Sequence, residues 1–333
     1  MNKDCIMVTV FCATYNHEKY IRQCLDGFLM QKTNFKFEVI IHEDASTDGT
    51  ADIIREYEQK YPDIIKAIYE KENQFGKGWD YTDKFCLKIA KGKYIALCEG
   101  DDFWKDENKL QKQFDALESN PSCKMCVCKV RAVQEDGKDM EQTYPSSELQ
   151  TGAYYTDEIL NSICKEYAFQ TSSYFLEKES VERYFSEKPA FFTVSPVGDW
   201  PMLLYFSLLN IYYIEDEMSC YRRNAIGSSC TVLQVSSQEK QLNYHRKMIS
   251  MMEEFDKYTH YKYHEYCQTF NSRMHKHCYY LLLQEQNYKE IFSKKIYKQL
   301  LKQESKSDRL AIKCKYYFPW LFKLLYKLKK RNN

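Results

Sequence analysis

Glycine and proline are scarce in this 333-residue chain, at ten and seven residues. Collagen-like and low-complexity disordered chains, which lean on those residues, are thereby excluded. No apolar run approaches the roughly 20 residues of a membrane span. No secretory leader is apparent, and the 14 cysteines fall at irregular spacings, which suits free thiols in a reducing compartment rather than a disulfide scaffold. The expected location is therefore the cytoplasm. Lys77 lies between Gly76 and Gly78, but the G-x-x-x-x-G-K-[ST] spacing of a phosphate loop is missing. With no nucleic-acid module recognisable either, no nucleic-acid partner is expected.

What is present describes a globular protein, with 44% hydrophobic and 29% charged residues. The net charge of +1 conceals an asymmetry, because residues 286–333 hold 14 Lys/Arg against 3 Asp/Glu. A near-neutral total therefore combines an acidic body with a basic tail suited to an anionic surface. Within that tail, Ile312–Arg331 interleaves aromatic and leucine residues with lysines, the pattern of a basic amphipathic helix that lies at a membrane interface or packs on the catalytic domain.

The first half alternates strand and helix patterns. Val8–Cys12, Phe37–Ile41, Ile64–Tyr69 and Tyr94–Cys98 are short apolar, β-branched runs. Between them, Asn16 reads as a helix cap, and a helix around Tyr81–Lys91 is closed by Gly92. This alternation predicts a mostly parallel sheet with helices on both faces. Further strands are expected at Cys123–Val133, Phe169–Leu176, Ile211–Ile214 and Met218–Arg223. A helical region starting with a capping box from Ser236 to Glu239 follows. The expected division is a domain over 1–230 and a helical C-terminal region over 231–333.

The fourth strand breaks into Glu99-Gly100-Asp101-Asp102. Carboxylates crowded at a buried strand end raise one another's pKa unless solvated or neutralised. An oxygen-only donor set of this kind suits Mg²⁺ or Mn²⁺. Ligands of open α/β sheets bind at this edge.

Four pieces in order carry a family resemblance: V-T-V-F-C-A-T-Y-N at the first strand, E-D-A-S-T-D-G-T at the second, E-G-D-D-F-W at the fourth, and G-D-W-P later. Together with Y-R-R-N-A-I-G-S-S, they resemble the inverting glycosyltransferases of family 2, with the GT-A fold, of the kind that build bacterial surface polysaccharides. The resemblance covers residues 5–230. It implies that Thr14 and Tyr15 hold the donor nucleotide, with Tyr15 against the uracil face, and that Asp44 accepts the imide N–H of the base. It implies Asp101 at the ribose or the cation and Asp102 as the metal ligand. Glu99 stands where relatives carry the first aspartate of the metal motif, and Asn224 stands where many carry histidine.

The implied chemistry is attack by an acceptor hydroxyl on the anomeric carbon of a nucleotide-diphosphate sugar, with UDP the expected nucleotide. A carboxylate on the opposite face of the sugar must take the acceptor's proton, and Asp199, at a strand-to-helix junction, is the candidate. Its competing role is an N-cap for the helix over Met202–Leu209. The expected partners are the nucleotide-sugar donor, a glycan or lipid-linked acceptor, and an anionic membrane surface at its cytoplasmic face. Two other functions compete. A sugar nucleotidyltransferase should carry a glycine-rich basic loop after the first strand, which Ala13-Thr14-Tyr15-Asn16 does not supply. A catalytically inactive nucleotide-sugar-binding scaffold would account for Glu99 and Asn224 but not for intact Asp101, Asp102 and Asp199.

Overall fold

The structure is a computed structural model that describes residues 5–74, 82–166 and 169–320. Its first half runs β1 (Ile6–Thr14), α1 (Ile21–Leu29), β2 (Lys36–Glu43), α2 (Thr50–Lys60), β3 (Ile65–Tyr69) and β4 (Tyr94–Leu97). Then come β5 (Phe103–Trp104), α3 (Lys109–Ser119), β6 (Met125–Val133), β7 (Asp139–Tyr144), β8 (Gly152–Tyr154), α4 (Thr156–Ile163) and β9 (Phe175–Glu177). After β9 follow α5 (Lys178–Glu187), α6 (Ala190–Val194), α7 (Asp199–Ser207), β10 (Ile211–Arg222), α8 (Ser229–Gln234), α9 (Gln238–Tyr258) and α10 (His264–Gln284). Three shorter helices complete the described chain: α11 (Tyr288–Ser293), α12 (Lys295–Gln303) and α13 (Lys306–Tyr317).

The strands form one sheet in the order β3-β2-β1-β4-β9-β6-β10-β5, with β7 on β6 and β8 on β10. The half built from β3, β2, β1 and β4 is parallel, as the strand–helix alternation predicts. The other half is mixed: β9 runs antiparallel to both β4 and β6, and β10 runs parallel to β6. Side chains of β1 alternate between two apolar layers. Val8, Val10 and Cys12 meet Leu25 and Phe28 of α1, while Phe11 joins the opposite layer with Ile95, Leu203 and Phe206. Helix α7 is buried from Trp200 through Ser207, as an all-round apolar helix must be. The long pair α9 and α10 closes this second layer, with Phe255 against Phe191 and Phe270 against Trp200 at ring separations of 5.4 and 5.0 Å.

Several local expectations are revised. Asn16 does not cap α1, whose N-cap position is Tyr20. It adopts a left-handed backbone (φ 56°), and its side-chain oxygen accepts the Thr47 N–H at 2.8 Å. Gly92 ends no helix. A Cβ there would sit 2.4 Å from the Thr9 nitrogen, so glycine lets the chain pass against β1. The helix expected over 81–91 is a single π-helical turn, Thr82–Leu87, and Tyr81 lies outside the described residues. The two late strands are one, β10, with register shifts where they were expected to separate. The cap of α9 is Ser237, one residue beyond the expected Ser236.

Candidate active site

Three loops meet at the carboxyl ends of β1, β2 and β4, because parallel strands deliver their loops to one edge. Main-chain bonds join them. The Asp44 N–H donates to the Thr14 carbonyl and the Gly100 N–H to the Ala13 carbonyl, each at 3.0 Å. Asn16 completes the link between the first two loops by donating its N–H to the Ser46 hydroxyl at 2.9 Å. Gly100 is needed here for close approach, since a Cβ would lie 2.6 Å from Thr14 Oγ1 and 2.9 Å from His17 Nδ1.

Each residue expected in the site can now be placed. Thr14 is buried, and its hydroxyl faces His17 Nδ1 at 3.1 Å. Tyr15 beside it is half-buried. Asp44 is buried and accepts the Gln74 N–H at 2.6 Å. Asp101 and Asp102 are buried side by side at the end of β4, with Asp101 Oδ2 4.0 Å from His17 Nε2. Asp102 Oδ1 accepts the Arg222 N–H at 2.8 Å. Asp199 is the first residue of α7 rather than its cap, and its Oδ1 accepts the Trp200 N–H at 2.8 Å. Its charge contributes to the raised pKa of Glu99. Asn224 follows β10 in a left-handed conformation.

The electrostatics are those of crowded, buried carboxylates. Burial, then the charge of Asp101, then that of Asp199 push Glu99 up to about 8. Burial and the neighbouring Asp101 and Glu99 also hold Asp102 well above the carboxylate range, partly offset by the Arg222 N–H and the Ser172 hydroxyl. The sequence reading missed Ser172, Thr171 and His17. Their residue types are ordinary, and only the fold brings them to the carboxylates.

The raised Glu99 has a consequence for stability. A carboxyl with a folded pKa near 8 and an unfolded value near 4.3 holds its proton more tightly when folded, so stability falls as pH rises between those values. His42 and His245, both pushed down to about 4 by burial, act in the opposite sense, but only below pH ~6.5. The metal-free protein should therefore lose thermal stability from pH 6.5 to 8. That slope should flatten in Glu99→Gln, as thermal melts across this range would show.

Among the described residues, no three His, Cys, Asp or Glu side chains are grouped to hold a metal ion by themselves. A Mg²⁺-like ion does not require this. It typically keeps waters and takes one or two carboxylates together with substrate phosphates. Asp102, with one oxygen given to Arg222, and adjacent Asp101 fit that demand as two buried neighbouring carboxylates.

A parallel half-sheet with a carboxylate loop at the end of β4, continued by a mixed half-sheet, is the architecture of the GT-A fold. The profile of "Glycosyl transferase family 2" matches residues 9–185, and the chain belongs to that family. An uncharacterised protein of Mycobacterium tuberculosis (strain H37Rv) is 36% identical over 221 residues, covering 66% of this chain and 60% of the relative. The chain thus spans under two thirds of that relative's length. The poly(ribitol-phosphate) beta-glucosyltransferase of Bacillus spizizenii is 33% identical over 105 residues, 31% of this chain and 16% of that protein. Two solved structures share the fold. TarS of S. aureus, residues 1–349 in complex with UDP, superposes with TM-score 0.53 at 17% identity, over 80% of this chain and 90% of that one. The mannosyltransferase PcManGT of Pyrobaculum calidifontis, in complex with GDP-Man and Mn²⁺, gives 0.52 at 16% identity, over 95% and 82%.

Proposed function

We propose that this chain is an inverting, metal-dependent glycosyltransferase that moves a sugar from a UDP donor to an acceptor hydroxyl in surface polysaccharide synthesis. The observation that supports the reading is the buried Asp101–Asp102 pair in the loop after β4, together with the charge of Asp199, at the start of α7, acting on Glu99 of the same loop. Tyr15 would stack on the base and Asp44 would receive its imide N–H, which selects uracil over bases lacking that donor. Asp101 and Asp102 would hold Mn²⁺ or Mg²⁺ against the diphosphate. Such an ion, when bound, supplies Lewis-acid stabilisation of the leaving group. Asp199 would take the acceptor's proton as its oxygen attacks the anomeric carbon.

Attack from the face opposite the nucleotide inverts the anomeric centre. Proton NMR of the first-formed product from an α-linked UDP-sugar should show the β anomer. An α product would refute inversion.

The tail supports a peripheral place on the inner face of an anionic membrane. No helix of the described residues is long and apolar enough to cross one. In α13, Ile312 is buried and Tyr316 stacks on Phe292 at 4.5 Å, so one face packs on the protein. The other leaves Leu310, Tyr317 and the following Trp320 at 64, 59 and 65% exposure, with Lys306 and Lys313 exposed among them. Apolar side chains among lysines suit an anionic lipid interface, where acceptors built on lipid would lie. The expected helix continues past Trp320, outside the described residues. Truncation after Ser305 removes one buried side chain of α13 and should release the protein from phosphatidylglycerol vesicles in a flotation assay. Equal binding by both forms would refute the membrane role.

A further inference from the structure

We infer that Arg222 is a positioning residue that preforms the carboxylate loop before any cation arrives. It is the last residue of β10 and only 3% exposed. Its backbone N–H donates to Asp102 Oδ1, and its Nε donates to the Asp101 carbonyl at 2.9 Å. The rest of the fork reaches away from the site. One terminal nitrogen donates to the Glu135 carbonyl in the β6–β7 turn and the other to Gln23 Oε1 on α1, both at 2.7 Å. The guanidinium lies 4.8 Å from the Tyr20 ring and 5.4 Å from the Phe103 ring. Every guanidinium nitrogen is therefore engaged by the protein, so Arg222 is built to hold structure rather than to contact substrate.

The physical need is plain. Asp101 and Asp102 are adjacent buried carboxylates, and without a cation their mutual repulsion favours an open loop. Arg222 opposes it through its planar fork, which ties the Asp101 main chain to α1 and to the β6–β7 turn. A cation then meets a loop already ordered, so less binding free energy is spent on ordering it. Lysine carries the charge but cannot span three separated acceptors from one nitrogen.

The test compares Mn²⁺ affinity, read by electron paramagnetic resonance with UDP present, between wild type and Arg222→Lys. It is run well below both melting temperatures. Arg222→Lys is expected to weaken Mn²⁺ at least ~10-fold, the scale seen when groups orienting metal ligands are removed. A purely structural role would lower the melting temperature while the folded protein bound Mn²⁺ normally, and that result overturns the inference. Should Arg222→Lys fail to fold, Gln23→Leu removes one anchor of the fork and leaves the charge. It should weaken Mn²⁺ in the same direction, and wild-type affinity in that variant would equally overturn the role. The inference rests on the metal-dependent reading above. Wild-type protein that binds no Mn²⁺ with UDP refutes that reading, whereas normal wild-type binding matched by the variant refutes only the part given to Arg222.

Discussion

Asp102→Asn is expected to lower sugar transfer by at least ~10²-fold, the usual loss when a group stabilising developing charge is removed. The substitution keeps an oxygen to accept the Arg222 N–H but removes the charge that a cation would meet. Its effect on folding should run the other way. Asp102 is buried beside Asp101 and Glu99, and the like charges raise its pKa, so a neutral amide relieves repulsion in the metal-free protein. The melting temperature without metal should hold or rise. Asp102→Ala differs, because it leaves the Arg222 N–H without its acceptor, and a buried unpaired donor costs roughly 1–3 kcal/mol. The pair of variants separates chemistry from folding. Near-normal transfer by Asp102→Asn would sink the metal assignment.

Asp199→Asn should reduce transfer by at least ~10²-fold while leaving UDP-sugar affinity intact, the loss expected when a general base is removed. The structure sharpens this variant. Asp199 is not the cap of α7; its Oδ1 accepts its neighbour's N–H, and asparagine can keep that bond through its own oxygen. The helix start and the packing of Trp200 on Phe270 are then undisturbed. A loss of rate therefore reports the missing proton acceptor. Donor affinity by calorimetry and transfer rate, measured on one preparation, read the two quantities separately. A rate near wild type would direct attention to another carboxylate.

The parallel half of the fold was legible because its strands are short apolar runs ending abruptly in polar loops, and the ends of β1, β2 and β4 carry the candidate site. The polar segment before Tyr155 concealed β7 and β8. Their side chains are largely half-buried or exposed and carry no apolar alternation. Gly92 was misread because a glycine serving close approach looks in sequence like one ending a helix. The carboxylates were visible as a cluster, but what holds them was not. Arg222 lies 120 residues from Asp102, and its role depends on β10 passing beside the β4 loop. Asn16 shows the same limit: its local context suggests a cap, while its actual partner is Thr47, in the next loop.

The most direct test of the central claim is a donor-turnover assay over a panel of UDP-sugars, with Mn²⁺ and with a chelator. Free UDP should be released with Mn²⁺ from at least one donor, and that release should be lost on chelation. Release of pyrophosphate in the presence of UTP and a sugar phosphate would instead identify nucleotidyl transfer. UDP-sugar bound without turnover, in the presence of both metal and candidate acceptors, would contradict the account and leave a binding scaffold.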